Sequence, residues 1–149
     1  MIEPIIPDTE TYAQRWLSET YEKKGFRPDD AEYFTKSGIR VRSKTELIIA
    51  DMLDARGIPF YYERPLYLRG VGTIHPDFTV LNKRSRKMYF WEHMGMMDED
   101  NYREYALEKI NHYIMNGYLL GIDLILTHET ASRPVKTQVL EKIIEAYLE

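Results

Sequence analysis

The residues best equipped for chemistry lie in HPDFTVLNKRSRKMYFWEH, His75 to His93. Two acids, Asp77 and Glu92, stand at the outer ends of two apolar-rich runs, with Lys83, Arg84, Arg86 and Lys87 crowded between them. If the stretch folds back about Arg84–Ser85, Leu81 faces Met88, Thr79 faces Phe90 and Asp77 faces Glu92. Residues directly opposed in a hairpin have Cβ atoms roughly 4.5–5.5 Å apart. Carboxylates that close repel unless a proton or a cation sits between them. A hard divalent ion such as Mg2+ (or Mn2+) suits the place, because it takes few protein oxygens and keeps several waters. Such an ion acidifies water and stabilises charge on a phosphoryl oxygen. The pair is therefore minimum equipment for metal-assisted phosphodiester hydrolysis. The inference needs the symmetric loop, since an odd-length one would shift the register.

The elements that must position this pair are legible to different degrees. HPDFTVL and KMYFWEH read as strands joined by the basic turn. SKTELIIADMLDARG reads as a helix, with Ser43 and Glu46 at capping-box spacing and Gly57 after the last turn. DEDNYREYALEKINHYIMNG reads as a helix ending at Gly117. YLLGIDLILTH reads as a strand buried on both faces, and RPVKTQVLEKIIEAYLE as a final helix opened by Pro134. PFYYERPLYLRG is an aromatic strand interrupted by Pro65. Upstream, Tyr12, Trp16, Leu17 and Tyr21 predict an amphipathic helix from an Asp8 cap to Gly25, followed by an irregular loop. The order predicts an α/β fold: a mixed β-sheet flanked by helices over residues 41–149, with an N-terminal helical arm over 1–40 packed on it.

Composition narrows the classes. The 149 residues are 44% hydrophobic and 13% aromatic, a globular composition. There is no cysteine, which excludes disulfides, thiolate metal sites and cysteine nucleophiles. The N-terminus has no basic region leading into an apolar run, and no apolar stretch reaches membrane-span length. A cytoplasmic location is expected. A net charge of −4 argues against bulk attachment to nucleic acid, but RVRSK and NKRSRK are local basic patches. Arg42, Lys44, Lys83, Arg84, Arg86 and Lys87 are thus the candidate phosphate contacts, with a solvated loop as the plainer reading.

HPDF followed by YFWEH resembles the PD-(D/E)xK nuclease superfamily, which has a restriction-endonuclease-like fold. Pro76-Asp77 matches the first half of the motif and Glu92 the acid of the second. The resemblance runs over roughly residues 40 to 130 in element order. It is nearest to nucleases of phage-related, mobile-element and helicase-linked proteins. It implies a metal-dependent deoxyribonuclease in which Asp77 and Glu92 hold Mg2+ or Mn2+. Glu46, on the first core helix, would complete the acidic cluster. A partner such as a helicase or recombination protein, or a homodimer across the DNA, would fit the resemblance.

The motif lysine is missing, because Met94 stands two residues after Glu92. Lys109 is the main candidate substitute, sharing a helix face with Tyr102 and Tyr113. His93 is the other, as a base or through its backbone carbonyl, although a regular strand turns its side chain to the opposite face. Lys44 is a lesser substitute. Plainer readings stand beside these: Glu46 as a capping-box residue, Lys109 as an exposed helix lysine, and the whole as an inactive nucleic-acid-binding or protein-interaction module.

Overall fold

A computed structural model of the chain describes residues 6–149. Helix α1 (Thr9–Trp16) opens at Asp8, whose carboxylate accepts from the Thr11 N–H at 2.8 Å. The helix is shorter than the expected run to Gly25. Tyr61 ends it: its hydroxyl donates to the Trp16 carbonyl and accepts from the Glu19 N–H. The polar run after Leu17 has no apolar face that would repay another turn. The expected loop that follows contains a small antiparallel ladder, β1 (Tyr33–Phe34) with β2 (Arg40–Val41).

Helix α2 (Lys44–Ala55) is capped by Ser43, which accepts from the Glu46 N–H at 3.2 Å. Gly57, at φ +66°, turns the chain out of it. The aromatic run then divides at Glu63 (φ 52°) and Pro65. Its halves, β3 (Phe60–Tyr62) and β4 (Leu66–Leu68), join different sheets, and β4 pairs with an unexpected strand, β5 (Gly72–Ile74). Strands β6 (Phe78–Leu81) and β7 (Met88–Met94) follow, then α3 (Asp100–Met115), β8 (Leu124–His128) and α4 (Thr137–Leu148). Helix α4 begins at a Lys136 cap, beyond Pro134.

The main sheet has the order β3-β6-β7-β8, antiparallel except for the parallel pair β7–β8 that α3 connects. The β6–β7 register sets Leu81 against Met88, Thr79 against Phe90 and Phe78 against Trp91. On one face Phe78, Val80, Trp91 and Ile125 pack against Ile49 and Leu53 of α2 and Leu140 and Ile144 of α4. Each such side chain contributes about 1.5–3 kcal/mol by leaving water. On the other face Phe90 and Leu124 meet Leu68 of β4 and Tyr113 of α3. The result is a mixed α/β fold with helices on both sides of the sheet. Among the described residues no helix is long and apolar enough to cross a membrane.

Candidate functional site

One step past the last β6–β7 pair, the same register sets Asp77 against Glu92. Strand alternation puts both on the α3 face of the sheet, with Thr79 and Phe90. Asn82 bonds Lys87 backbone to backbone, so every second pair of the ladder is hydrogen-bonded, and the next after Phe78–Trp91 is Pro76–His93. Proline has no N–H, so the ladder breaks there. The His93 N–H turns instead to Asp77 Oδ2 at 2.7 Å. The His93 carbonyl is left opposite a proline nitrogen that cannot donate to it. The Pro-Asp order thus anchors one carboxylate oxygen and frees one backbone oxygen beside it.

Glu92 is 2% exposed. Its Oε1 accepts from Lys109 Nζ at 2.9 Å and from the Tyr113 hydroxyl at 2.7 Å. Lys109 and Tyr113, four residues apart on α3, point at one carboxylate, as shared helix-face spacing requires. Tyr102, on the same face, accepts from the Gly95 N–H at 3.0 Å and so pins the end of β7. Asp77 Oδ1 and Glu92 Oε2 accept no hydrogen bond among the described residues.

Burial raises the Asp77 pKa well above the usual carboxylate value, and Glu92 and then Glu46 push the same way. Lys109 and the His93 N–H oppose this. Burial alone would lower the Lys109 pKa, but the charges of Glu92 and Asp77 outweigh it and leave it raised. Lys109 is therefore a cation at neutral pH, not a free amine. Tyr113 is raised by burial and then by Glu92, so it remains a donor.

Glu46 is buried, and its Oε1 accepts from the Tyr62 hydroxyl at 2.5 Å and from the Arg42 N–H at 3.3 Å. The capping-box reach to Ser43 is therefore not made. Its charge reaches Asp77, but among the described residues no three His, Cys, Asp or Glu side chains converge enough to hold a metal. Any cation at Asp77 and Glu92 would take its remaining ligands from the freed His93 carbonyl and water. That all-oxygen donor set suits Mg2+ or Mn2+.

The His93 side chain faces away from the acids. Its Nδ1 lies 2.8 Å from Thr127 Oγ1, which also accepts from Trp91 Nε1 at 3.0 Å. Its Nε2 lies 3.4 Å from Glu129 Oε2 without the alignment of a hydrogen bond. Glu129 accepts from Thr45 Oγ1 at 2.8 Å, tying the network to α2. These partners favour the proton on Nε2, facing the carboxylate. Burial lowers the His93 pKa against the pull of Glu129. A side-chain base role for His93 toward Asp77 and Glu92 is thus excluded by direction.

The basic candidates other than Lys44 also have partners within the chain. Arg42 forms a bidentate pair with Glu63, at 2.7 and 3.0 Å. Lys83 meets Glu10 at 3.1 Å, and Arg84 donates to the Glu149 carbonyl at 3.0 Å. Arg86 donates to the Pro7 carbonyl and lies 4.5 Å over the Tyr12 ring. Lys87 lies 3.9 Å from Asp123. Lys44 is exposed at the start of α2. The hairpin tip is thus stitched to α1 and the C-terminus, at the strand ends opposite the acids. Sequence spacing could not show Tyr62, Thr127 and Glu129 as partners of the candidate residues, because each reaches its partner across the fold.

No family model matches the chain, and no solved structure matches it. The chain is similar to "Uncharacterized protein MJ1519" of Methanocaldococcus jannaschii, with 29% identity over 128 residues that cover 77% of this chain. It spans only 11% of that protein's length.

Proposed function

We propose that the protein is a metal-dependent nuclease with a restriction-endonuclease-like core, hydrolysing phosphodiester bonds of DNA. One observation carries the reading: Asp77 and Glu92 are opposed on one sheet face, each with one oxygen outside any hydrogen bond, and Lys109 reaches Glu92 at 2.9 Å. Asp77 Oδ1, Glu92 Oε2 and the His93 carbonyl would hold Mg2+ or Mn2+. A divalent cation there supplies an acidified water and offsets charge on the phosphoryl oxygen.

The chain's own groups have separable tasks. The His93 N–H fixes the Asp77 carboxylate, and Tyr113 with Lys109 fixes that of Glu92. Lys109 comes from α3 rather than from the strand position that Met94 occupies. Being protonated, it serves as a fixed positive charge beside the phosphoryl group, not as the base. The test is cleavage of supercoiled plasmid and single-stranded DNA with Mg2+ or Mn2+. Asp77→Ala and Glu92→Ala should each abolish it, and undiminished cleavage in both would sink the assignment.

One observation favours a second reading, an inactive nucleic-acid-binding or protein-interaction module. The described residues supply two convergent carboxylates rather than three side-chain metal ligands. Calorimetry separates the readings: Mn2+ binding lost in Asp77→Asn supports the enzyme, and absence of any Mn2+ binding supports the module.

A further inference from the structure

The N-terminal arm carries rings and charges that the acidic site does not use. Between the loop after α1, β2 and β3 lies a cavity of about 570 Å³. Tyr21, Phe26 and Tyr62 line it, together with Lys23, Lys24 and Arg40. That volume is within the range that holds a small organic ligand. Lys23 and Lys24 are exposed and form no ion pair among the described residues. Arg40 and Arg42 each lie 4.2 Å over the Phe26 ring, and Tyr62 is buried, so of these rings Tyr21 is the one left to a ligand. Arg40 has no carboxylate partner among the described residues and leaves a buried Nε without an acceptor. The acid in this wall, Glu63, is neutralised by its bidentate pair with Arg42. The cavity therefore offers aromatic surface and unbalanced positive charge together, the combination that takes a base and its phosphate.

The cavity adjoins the acidic site. The Glu63 N–H donates to the Asp77 carbonyl at 3.1 Å. His75 feels the charges of both Lys24 at the cavity and Lys109 at the acids.

We propose that this cavity holds one unstacked nucleotide of a single nucleic-acid strand, the one flanking the phosphodiester presented to Asp77 and Glu92. Its base lies against the Tyr21 ring, and its phosphate meets Lys23 and Lys24. This rests on the nuclease reading for the placement of the phosphodiester. A continuous duplex does not fit, because its bases are paired and stacked and enter a cavity only by flipping out. The site thus selects single strands, frayed ends or flaps.

Fluorescence anisotropy of the full chain in EDTA tests this without any cleavage. The probes are a labelled 12-mer of deoxythymidine, the same 12-mer lacking its bases, and a 12-base-pair duplex. The thymidine strand should bind about tenfold tighter than either of the others. The double variant Lys23→Glu/Lys24→Glu, at exposed positions that leave folding intact by circular dichroism, should lose about tenfold in affinity for it. Equal affinity for strand and duplex, equal affinity with and without bases, no binding of the thymidine strand, or an unchanged double variant would each overturn the proposal. The two readings fail separately. Strand binding in EDTA without metal-dependent cleavage keeps the cavity and drops the nuclease. Cleavage that needs Asp77, with binding indifferent to Lys23 and Lys24, does the reverse.

Discussion

Strand β7 has two faces, and adjacent residues on it live under opposite rules. Glu92 looks toward α3, where two donors meet one carboxylate oxygen and the other is left open. His93 looks toward α2, where Thr127 holds one ring nitrogen and Glu129 sits against the other. On the α2 face Trp91, His93 and Thr127 share hydrogen bonds and Glu129 bonds Thr45, which ties β7, β8 and α2 together. On the α3 face like charges are gathered and only partly neutralised. A fold accepts such repulsion where a ligand relieves it. The difference teaches that proximity in sequence says little about shared chemistry when the strand period is two.

Neutralising the α3-face acids should have the greatest consequence. Asp77→Asn or Glu92→Gln should lower Mg2+-dependent cleavage by about a thousandfold or more, since among the described residues no third acidic or histidine side chain converges there. Asp77→Asn should also raise the metal-free melting temperature, by about 1 kcal/mol of stability, because it removes a half-buried charge facing Glu92. Thermal shift with and without Mn2+ checks both halves. The wild type should gain stability from the ion and the variant should not. A variant less stable than the parent would mean that the acids are balanced by structure rather than by a ligand.

Next comes Lys109→Met, which should cut turnover by about a hundredfold while leaving strand affinity in EDTA nearly unchanged. It also leaves Glu92 buried with Tyr113 alone, at a cost of about 3 kcal/mol. Lys109→Arg keeps the charge and should recover most of the stability. Recovered stability without recovered turnover assigns Lys109 a positioned charge near the phosphate. Full activity in Lys109→Met at permissive temperature would remove it from the mechanism.

The α2 face should respond in the opposite currency. Thr127→Val leaves Trp91 Nε1 and His93 Nδ1 without their shared partner and should cost about 1–3 kcal/mol, measured by urea denaturation. Cleavage at a temperature where the variant is folded should stay within a few-fold of the parent, and His93→Gln should behave likewise. A large drop in turnover from either folded variant would mean that the two faces are coupled.

The pH dependence of stability also distinguishes the acids from His93. The Asp77 pKa is raised in the folded state by burial and by Glu92, and that of Glu46 chiefly by burial. The unfolded chain binds fewer protons than the folded one between the raised values and the ordinary ones near 4. Metal-free stability attributable to these groups should therefore rise as pH falls through the raised values, and level off below about 4. The His93 pKa is lowered by burial, so its contribution runs the other way and falls as pH drops through its ordinary value near 6.5. Wild type against Asp77→Asn, followed by thermal denaturation in EDTA across that range, isolates the Asp77 share.

Much of this was legible in the chain, for local reasons. The register that opposes Asp77 and Glu92 follows from a loop symmetric about Arg84–Ser85. Lys109 and Tyr113 share a helix face, and both reach Glu92. His93 turns away because strand side chains alternate. What was not legible depends on partners far along the chain. Tyr61 stops α1 from a strand some forty residues later. Tyr62 draws Glu46 out of its capping role, and Glu129 meets Thr45 across 84 positions. The β4–β5 pairing was hidden for another reason: Pro65 reads as an interruption of one strand when it is the corner between two sheets.

The smallest expected effect concerns the hairpin tip, and it limits how far the charged surface takes part. Lys83, Arg84, Arg86 and Lys87 hold Glu10, the Glu149 carbonyl, the Pro7 carbonyl and Asp123, respectively. Leu81 is separated from Asp77 by about 14 Å of extended strand, so the tip and the acids lie at opposite ends of the hairpin. Lys83→Ala should change stability by no more than about 0.5 kcal/mol, because Glu10 is 73% exposed on its side chain and the pair is screened. Arg86→Ala should cost somewhat more, about 1 kcal/mol, because it loses both a carbonyl partner and the Tyr12 ring. Neither should alter strand affinity by more than about twofold, against the tenfold expected at Lys23 and Lys24. Matched losses at the two places would extend the strand's path along the whole hairpin. A loss confined to Lys23 and Lys24 keeps recognition at the arm, where the exposed lysines and the Tyr21 ring line the cavity.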